Sequence, residues 1–278
     1  LDKEDILDYL AAENPEPLTP RPVPLYGRDI VDAVSGYAVA FDGFESAAFV
    51  TGLGYFVDDM IYLTIEADTV NRDDPTMRGY VVSGRVRTDS RGNLRGIDLN
   101  MDRFIEIPRQ TDFNNMSYES MFVADGKLVV IYEANGVNVN AEPVAYTVDL
   151  QTGELATVPF PNVEYRVTDV TMPDENGVFW AINYFFVGED FLANDEDPIF
   201  ATYGMGASQA EFDGFERLVS FQFTGDAIEL VDAAPIQLLM TEESRGRNWE
   251  GIARLDDMGF LVVTDKWPQT ILGFVPAE

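Results

Sequence analysis

The sequence contains no cysteine and no histidine. Without cysteine, disulfides and thiolate chemistry are excluded. Without histidine, the chain lacks the usual general base near neutral pH, which excludes a Ser-His-Asp triad and a typical zinc site. Any catalysis must therefore use carboxylates, Tyr, Lys, Arg or Ser. Any bound metal must be a hard cation held by oxygen, such as calcium or magnesium.

Basic residues are scarce as well. The chain has 18 Lys and Arg residues against 49 Asp and Glu residues, and its formal net charge is −31. Nucleic acid and anionic membrane surfaces are poor partners for such a protein, whereas cations are attracted to it. The few lysines among so many acids are typical of a halophilic protein that stays soluble at high salt. An ordinary acidic secreted protein is the alternative interpretation.

Long apolar runs are also missing, since none reaches the ~20 residues that a transmembrane helix needs. We therefore expect no transmembrane segment. The chain begins with Leu1 rather than Met, so we expect either a processed or a trimmed chain, from which any targeting signal has been removed. Residues 2–12 have the pattern of a short amphipathic helix and residues 15–24 are rich in proline, which favours extended backbone. We assign residues 1–33 to an N-terminal arm and residues 34–278 to one domain.

A repeated unit occupies the domain. It comprises an acid, a short apolar strand, a turn, and a second apolar strand that ends in a polar or acidic residue. The four copies begin at Glu45, Glu119, Asp169 and Glu250. The second strands are apolar almost without interruption, as strands buried on both faces are. Because blades of a propeller pack face to face, the pattern predicts an all-β β-propeller of four-stranded antiparallel blades.

Two parts of the propeller are less regular. The fourth blade has only residues 270–275 left for further strands, so we expect residues 34–41 to supply its outer strand and to close the ring with both termini in one blade. Residues 184–214 show no repeat. They leave room for a degenerate fifth blade, although a long loop over one mouth of the channel fits them better.

The blade openings carry a family resemblance. Asn248-Trp249-Glu250-Gly251-Ile252-Ala253, followed by residues 260–265, is the best match, and Tyr118-Glu119-Ser120-Met121 and Thr168-Asp169-Val170 are further openings of this kind. These motifs resemble the bacterial phytase-like propellers, named for an esterase-like activity of phytase, and the related SdiA-regulated propellers. The resemblance covers about residues 34–278. It implies an extracytoplasmic protein (periplasmic, secreted or lipid-anchored) that hydrolyses phosphate or other esters, often with calcium.

Repeat symmetry places the four first acids near one mouth of the channel. Carboxylates that face one axis repel each other and require a cation or protons between them. Calcium accepts six to eight oxygen ligands and suits such a ring. We therefore predict a calcium site whose ligands are Glu45, Glu119, Asp169 and Glu250. The alternative is that each acid accepts backbone N–H bonds from the neighbouring blade.

The ends of the second strands supply a second polar set, formed by Glu66, Glu133, Asn183 and Asp265. These residues could add ligands or act as general acid and base, or simply end strands and cap turns. Among all the acids, we predict catalytic roles for Glu119, Glu250 and Asp265. Paired carboxylates can perform hydrolysis when their environments separate their pKa values.

A third set of basic and aromatic residues lies close to these acids in the repeat. We predict that Arg166, Arg247, Lys266 and Trp267 bind the substrate, with Trp267 stacked on a ring or sugar. The alternative is that the arginines pair with neighbouring acids and the tryptophans pack in the core.

Together these patterns favour a monomeric propeller that binds a divalent cation, preferably calcium, and hydrolyses a small anionic phosphate or carboxylic ester. In this hypothesis the ion polarises the substrate oxygen and activates water. Glu119 or Glu250 moves protons, and Arg247 and Lys266 balance negative charge. The competing hypothesis is a non-catalytic module that binds a sugar, a peptide or a protein at the mouth. A third is a structural propeller whose acids complete hydrogen bonds between blades.

Overall fold

The computed structural model describes residues 1–37, 39–51, 59–69, 76–113, 115–186, 188–192, 197–212, 214–240, 247–265 and 270–277. Within them, four small antiparallel sheets are arranged as a four-bladed β-propeller. This confirms the predicted fold class. No helix among the described residues is long and apolar enough to cross a membrane.

The N-terminal residues lie against two different blades. Helix α1 (Lys3–Ala11) matches the helix expected near residues 2–12, and the Lys3 ammonium forms an ion pair with Asp256 of the fourth blade at 2.5 Å. Strand β1 (Leu25–Tyr26) then adds in parallel to the outer part of the first blade. Helix α2 (Ile30–Ser35) follows, and the Asp29 carboxylate caps it by accepting a hydrogen bond from the Val31 backbone N–H at 2.9 Å.

The first two blades follow the predicted strand order. Blade one comprises β2 (Val39–Val50), β3 (Met60–Thr69), β4 (Met77–Thr88) and β5 (Leu94–Leu99), and the short β6 (Ile105–Ile107) pairs with β4. Blade two comprises β7 (Ser120–Ala124), β8 (Lys127–Ile131), β9 (Val144–Asp149) and β10 (Leu155–Pro159). Successive strands are antiparallel neighbours, as short turns between them require.

Blades three and four complete the ring. Blade three comprises β11 (Arg166–Val170), β12 (Val178–Phe185), β13 (Phe215–Phe223) and β14 (Ile228–Leu230), with β15 (Ile236–Leu238) paired to β13. Blade four has three strands among the described residues: β16 (Trp249–Leu255), β17 (Gly259–Thr264) and β18 (Leu272–Pro276). The described residues between β12 and β13 form a short 3-10 turn (Asp190–Leu192) and helices α3 (Pro198–Tyr203) and α4 (Ala207–Glu211), and these residues contain no strand of a fifth blade.

The predicted closure of the ring is wrong. The described residues of 34–41 do not extend blade four: residues 34 and 35 belong to α2, and residues 39–41 begin β2, which pairs antiparallel with β3. The reason is apolar packing: Val39 is buried in the same cluster of blade one as Ile65, and the partly buried Phe41 packs against that cluster. The innermost strand of the first blade is therefore longer than the repeat suggested.

Buried apolar clusters join neighbouring blades. One cluster contains Tyr62 of blade one and Val130 of blade two, and another contains Ile182 of blade three and Ile252 of blade four. Between blades two and three, the ring of Phe122 packs against that of Phe179. Residues 128–131 of β8 are fully buried, as their unbroken apolar run predicts. The core thus lies between blades and fixes each inner strand around the axis.

The junction of blade four with blade one differs from the other three. A cluster on blade one, including Ile65 and Tyr80, packs against Ala33 and Val34 of α2. Among the described residues, no buried apolar cluster joins blade four to blade one. We call this junction the seam.

Candidate functional site

The innermost strands are irregular where their acids occur. Pairing shifts register between Phe44 and Ala47 in β2 and between Trp249 and Gly251 in β16. Glu45 and Glu250 lie within these bulges. In blade two, Glu119 immediately precedes the first paired residue of β7. Bulges turn a side chain out of the regular alternation of a strand, and they are common next to functional sites.

Blade three has the same bulge one residue earlier than the acid repeat suggested. Asp169 pairs with Ile182, whereas the equivalent pairs are Ser120 with Ile131 and Gly251 with Val263. Asp169 therefore occupies the position that follows the acid in the other blades. The residue of blade three that is structurally equivalent to Glu119 and Glu250 is Thr168.

The same offset applies at the end of the second strand. The aligned pairs end on Ile131, Ile182 and Val263 of the second strands. Two residues further along, blade two has Glu133, blade four has Asp265, and blade three has Tyr184 rather than Asn183. Asn183 is fully buried, and its amide donates hydrogen bonds of 2.9 Å to the backbone carbonyls of Glu164 and Arg166. Asn183 therefore links β12 to the backbone at the start of β11.

An open cavity of about 510 Å³ lies where the blades converge. Its described lining contains seven carboxylates, one arginine and several aromatic or amide side chains. The acids are Asp42, Glu45, Glu66, Glu119, Glu189, Glu250 and Asp265, and the other lining residues include Tyr184, Phe44, Phe186, Asn115, Asn248 and Arg166. The structure therefore brings Glu45, Glu119, Glu250, Asp265 and Arg166 of the predicted site together.

Three of these acids form a compact group. One carboxylate oxygen from each of Glu45, Glu66 and Glu119 lies within 4.8 Å of the other two. Glu66 is only 6% exposed, and its Oε1 atom has no hydrogen-bond partner among the described residues. A buried carboxylate oxygen without a donor is costly. This group is therefore suited to a cation.

Burial and mutual repulsion reduce the acidity of the group. Burial, followed by the charge of Glu133, raises the pKa of Glu45 to about 7. The same two causes, with Glu45 added, raise the pKa of Glu66 to about 9. Burial also raises the pKa of Glu119 well above its usual range. Near neutral pH these carboxyl groups therefore tend to bind protons, unless a positive charge lies among them and favours their charged forms.

Arg166 supplies positive charge at one side of the cavity. Its guanidinium donates to the Glu133 carboxylate, which is fully buried, and its Nε donates to Glu189 Oε2 at 2.7 Å. A second guanidinium nitrogen donates to the other Glu189 oxygen. Arg166 is thus already bonded to two carboxylates.

A hydrogen-bonded chain orients Glu250 on the blade-four side. The Tyr184 hydroxyl donates to Asn248 Oδ1 at 2.6 Å, and the Asn248 amide donates to Glu250 Oε1. Asn248 has a positive φ of 41°, which few non-glycine residues adopt and which is common at functional sites. Burial, followed by the charges of Asp265 and Glu45, raises the pKa of Glu250 to about 7.

Two predicted site residues lie away from the cavity lining. Asp169 is packed between blades and accepts hydrogen bonds from the Ile252 N–H and the Ser46 hydroxyl. Arg247 donates from Nη2 to Glu216 Oε2 at 2.6 Å, and its guanidinium lies 5.0 Å from the Trp249 ring centre. Both match the structural alternatives, acids that join blades and arginines that pair with acids. Lys266 and Trp267 lie outside the described residues.

The repeat did not point to Asp42, Glu189 or Tyr184, which also line the cavity. Asp42 precedes the repeated acid, and Glu189 lies in the segment between β12 and β13, where the repeat is absent. Tyr184 follows Asn183 directly, so alignment by the bulge rather than by the acid would have identified it.

Comparisons with known proteins add little to this geometry. No family model matches the sequence, and no curated protein matches it. Among solved structures, one similar chain is the acylaminoacyl peptidase of Pyrococcus horikoshii, with 10% identity and a TM-score of 0.35 over 86% of this chain and 33% of that chain. This chain thus spans about a third of the peptidase's length. The phytase-like resemblance, the extracytoplasmic location and the monomeric state stay predictions.

Proposed function

We propose that this propeller binds a divalent cation, preferably calcium, between Glu45, Glu66 and Glu119. The observation that carries the proposal is the buried Oε1 atom of Glu66, which has no hydrogen-bond partner among the described residues and belongs to a group of three converging carboxylates. A cation would replace the missing donor and relieve the repulsion that raises the pKa values of the group.

The spacing and the ligand type fit calcium. Two oxygens that share a calcium ion at about 2.4 Å each lie at most about 4.8 Å apart, and the three carboxylate oxygens lie within 4.8 Å of one another. Carboxylates are preferred ligands of hard cations. Calcium tolerates irregular coordination that includes water, whereas magnesium requires near-octahedral geometry. Three carboxylates at the wall of an open cavity leave room for water ligands.

Hydrolysis of a carboxylic ester is a second, finer part of the proposal, favoured by the position of Glu250. A bound divalent cation supplies Lewis acidity that polarises an ester oxygen and acidifies water. Glu250 lines the same cavity, and in the metal-free protein burial and the charges of Asp265 and Glu45 raise its pKa to about 7. A carboxylate in this position can take a proton from water near neutral pH. The Asn248 amide orients its carboxylate.

Phosphate esters fit the described cavity less well. Arg166 is the one basic residue in its described lining, and Glu133 and Glu189 already occupy its guanidinium. A phosphate group would therefore depend on the metal ion alone for positive charge. A non-catalytic binding module remains the competing function, and it shares the cation site but has no use for Glu250 as a base.

The cation site is tested by thermal unfolding with calcium, magnesium or chelator at fixed high ionic strength, because added ions otherwise screen the −31 net charge non-specifically. A ligand at about 100 times its dissociation constant stabilises a protein by about 2.7 kcal/mol. We expect a saturable shift with calcium that Glu66→Gln removes and that Glu229→Gln, an exposed acid of blade three, retains. If the wild-type protein has the same melting temperature with calcium as with chelator, the proposal is contradicted.

The catalytic part is tested separately with p-nitrophenyl acetate and p-nitrophenyl phosphate. We expect calcium-dependent turnover of the acetate, little turnover of the phosphate, and loss of turnover in Glu250→Gln with the calcium shift retained. Absence of turnover in a protein that binds calcium would favour the non-catalytic module.

A further inference from the structure

We propose that a second site, between blades one and two, binds a small carboxylate such as acetate. The site is a pocket of about 70 Å³, and none of its lining residues lines the central cavity. The groups that could donate hydrogen bonds to an anion there belong to Tyr62, Ser83, Asn100 and Arg103. The inference is independent of the proposed function.

The segment that supplies Arg103 differs in charge from the rest of the chain. Residues 78–109 contain seven arginines and four Asp or Glu residues, a net charge of +3 in a chain of −31. Each of these four acids forms an ion pair with an arginine other than Arg103. An anion is therefore attracted to this part of blade one, in contrast to the acidic central cavity.

The Tyr62 hydroxyl is the buried group that points to a ligand. Tyr62 of β3 pairs directly with Ser83 of β4, so both side chains lie on the face of blade one that packs against blade two. The Tyr62 side chain is 7% exposed and lines the pocket, and its hydroxyl has no hydrogen-bond partner in the part of the chain that the structure describes. Buried tyrosine hydroxyls usually find a partner, as those of Tyr118 and Tyr132 in the same apolar cluster do. A ligand oxygen in the pocket would supply the partner that Tyr62 lacks.

Arg103 extends from blade one to a turn of blade two. Gly153 in the turn between β9 and β10 has a φ of 74°, and a Cβ atom at this position would overlap the Arg103 guanidinium. Burial raises the pKa of Tyr62 and the charge of Arg103 opposes this rise, so the guanidinium lies near the hydroxyl as well. A carboxylate between the two groups can accept from both, and hydrogen bonds between guanidinium and carboxylate are short and strong.

Asp149 is the one acid in the described lining, and its own turn balances its charge. Its Oδ1 atom accepts from the Gln151 and Thr152 backbone N–H groups at 3.0 and 2.7 Å. These bonds, with that of Thr152 the strongest, keep the pKa of Asp149 below its usual range. None of the described ion pairs joins Asp149 to Arg103, which leaves the guanidinium available for an external anion.

The size and the apolar wall of the pocket favour a short carboxylate over an inorganic anion. Pockets for drug-sized ligands measure about 300–1,000 Å³, so this one suits a compact ligand. Val81, Ile105, Val148 and Leu150 form its apolar wall. The methyl group of acetate can lie against this wall while its two oxygens face the donors. Chloride or phosphate has no apolar part to place there.

Amide NMR of isotope-labelled protein tests the site, with the Gly153 amide and the Arg103 Nε–H as local reporters. Sodium acetate is titrated at an ionic strength held constant with a bulky sulfonate salt, and acetamide is the matched control, because it has the shape of acetate without the charge. We expect saturable shifts with acetate, none with acetamide, and weaker binding of chloride and phosphate. The acetate response should be the same with calcium and with chelator, since the site is separate from the proposed metal site.

Variants locate the binding. Tyr62→Phe keeps the packed ring and removes the hydroxyl, and we expect it to weaken acetate about tenfold, the scale of one hydrogen bond to a charged group. Arg103→Met should abolish saturation, whereas Arg91→Met removes an exposed charge from the same segment and should leave binding unchanged. The inference is overturned if acetate does not saturate, if acetamide binds equally well, or if Tyr62→Phe and Arg103→Met both bind acetate as the wild type does. Tighter binding of chloride or phosphate than of acetate overturns the assignment to a carboxylate.

Discussion

The Asp169 carboxylate accepts a hydrogen bond of 2.9 Å from the Ile252 backbone N–H and thereby joins blade three to blade four. Its other oxygen accepts a bond of 3.3 Å from the Ser46 hydroxyl of blade one. One side chain near the axis therefore contacts three blades in total. Burial outweighs these hydrogen bonds and raises the pKa of Asp169 to about 7.

We expect Asp169→Ala to destabilise the protein by about 1–3 kcal/mol, because it leaves the Ile252 N–H without its acceptor. Asp169→Asn should lose much less stability. Its amide oxygen can still accept the Ile252 hydrogen bond, and the substitution removes the buried charge. Urea unfolding at pH 8 measures both variants. Because Asp169 does not line the cavity, both should keep the wild-type calcium shift, and loss of that shift in Asp169→Asn would return this residue to the metal site.

Stability of the metal-free protein should fall as pH rises. The folded-state pKa values of Glu45, Glu250 and Asp169 are about 7 and that of Glu66 is about 9, whereas unfolded carboxyls titrate near about 4. Between these limits the folded chain holds more protons than the unfolded chain, so unfolding becomes easier with rising pH.

Calcium should reverse much of this loss, because it balances the carboxylates as protons do at low pH. Urea unfolding at pH 5, 7 and 9, at high ionic strength, with chelator or with calcium, measures the effect. We expect the calcium-dependent stabilisation to grow from pH 5 to pH 9. Chelated protein that is equally stable across this range would show that these carboxyls are not buried together.

Replacement of Asn248 by Ala should make Glu250 a weaker acid. The Asn248 amide donates to the Glu250 carboxylate and so favours its charged form; without that bond the pKa of Glu250 should rise. Carboxyl carbon NMR titration of Glu250 measures the change, with Asp226, an exposed turn acid, as the internal reference. An unchanged or lower Glu250 pKa in this variant would mean that the amide does not orient the carboxylate.

A buried ion pair should hold the α3 segment to blade three. Arg217 Nη2 lies 2.8 Å from Asp197 Oδ2, with side-chain exposures of 1% and 3%, and Asp197 Oδ1 accepts from the Ile199 N–H at the start of α3. Asp197→Asn keeps an N-cap but leaves the arginine charge unpaired, which costs about 3–5 kcal/mol.

The urea midpoint of Asp197→Asn measures this cost. The double variant Asp197→Asn with Arg217→Met should recover part of the stability, because the unpaired charge is then removed. If the single variant is as stable as the wild type, the pair does not anchor the segment.

The strands were predictable because their burial appears directly in the sequence. Unbroken apolar runs such as residues 128–131 can bury both faces only between packed sheets, and turns marked by glycine and aspartate separate them. The sequence also places Glu45, Glu119 and Glu250 at equivalent points of three blades, and the structure brings all three to the cavity.

The third blade was aligned wrongly with the other blades, because no residue type in the sequence signals the position of its β-bulge. An acid happens to follow Thr168, so matching acid to acid shifted the blade by one position. Neighbouring residues of a strand point to opposite faces, and this single step separates Asp169 and Asn183 from the cavity that Tyr184 lines.

Contacts between residues that are distant in the sequence could not be predicted either. Arg247 pairs with Glu216 across 31 positions, and nothing local to Arg247 distinguishes a structural arginine from a ligand-binding one. From the sequence, residues 34–41 could have paired with either end of the ring. In the structure, Val39 is buried in the apolar cluster of blade one and Phe41 packs against it, which places this strand in blade one.

The seam has a consequence for the way the ring assembles. Each shared apolar core joins two blades that are consecutive in the chain, so those docking steps close comparatively short loops, and short loops close fastest. Blade four and blade one are separated by nearly the whole chain. Among the described residues they share no apolar core, and Asp169 of blade three links them through its bonds with Ser46 and Ile252. We therefore expect blades to dock in chain order and the seam to form last, which makes it the first junction to part when the protein is heated.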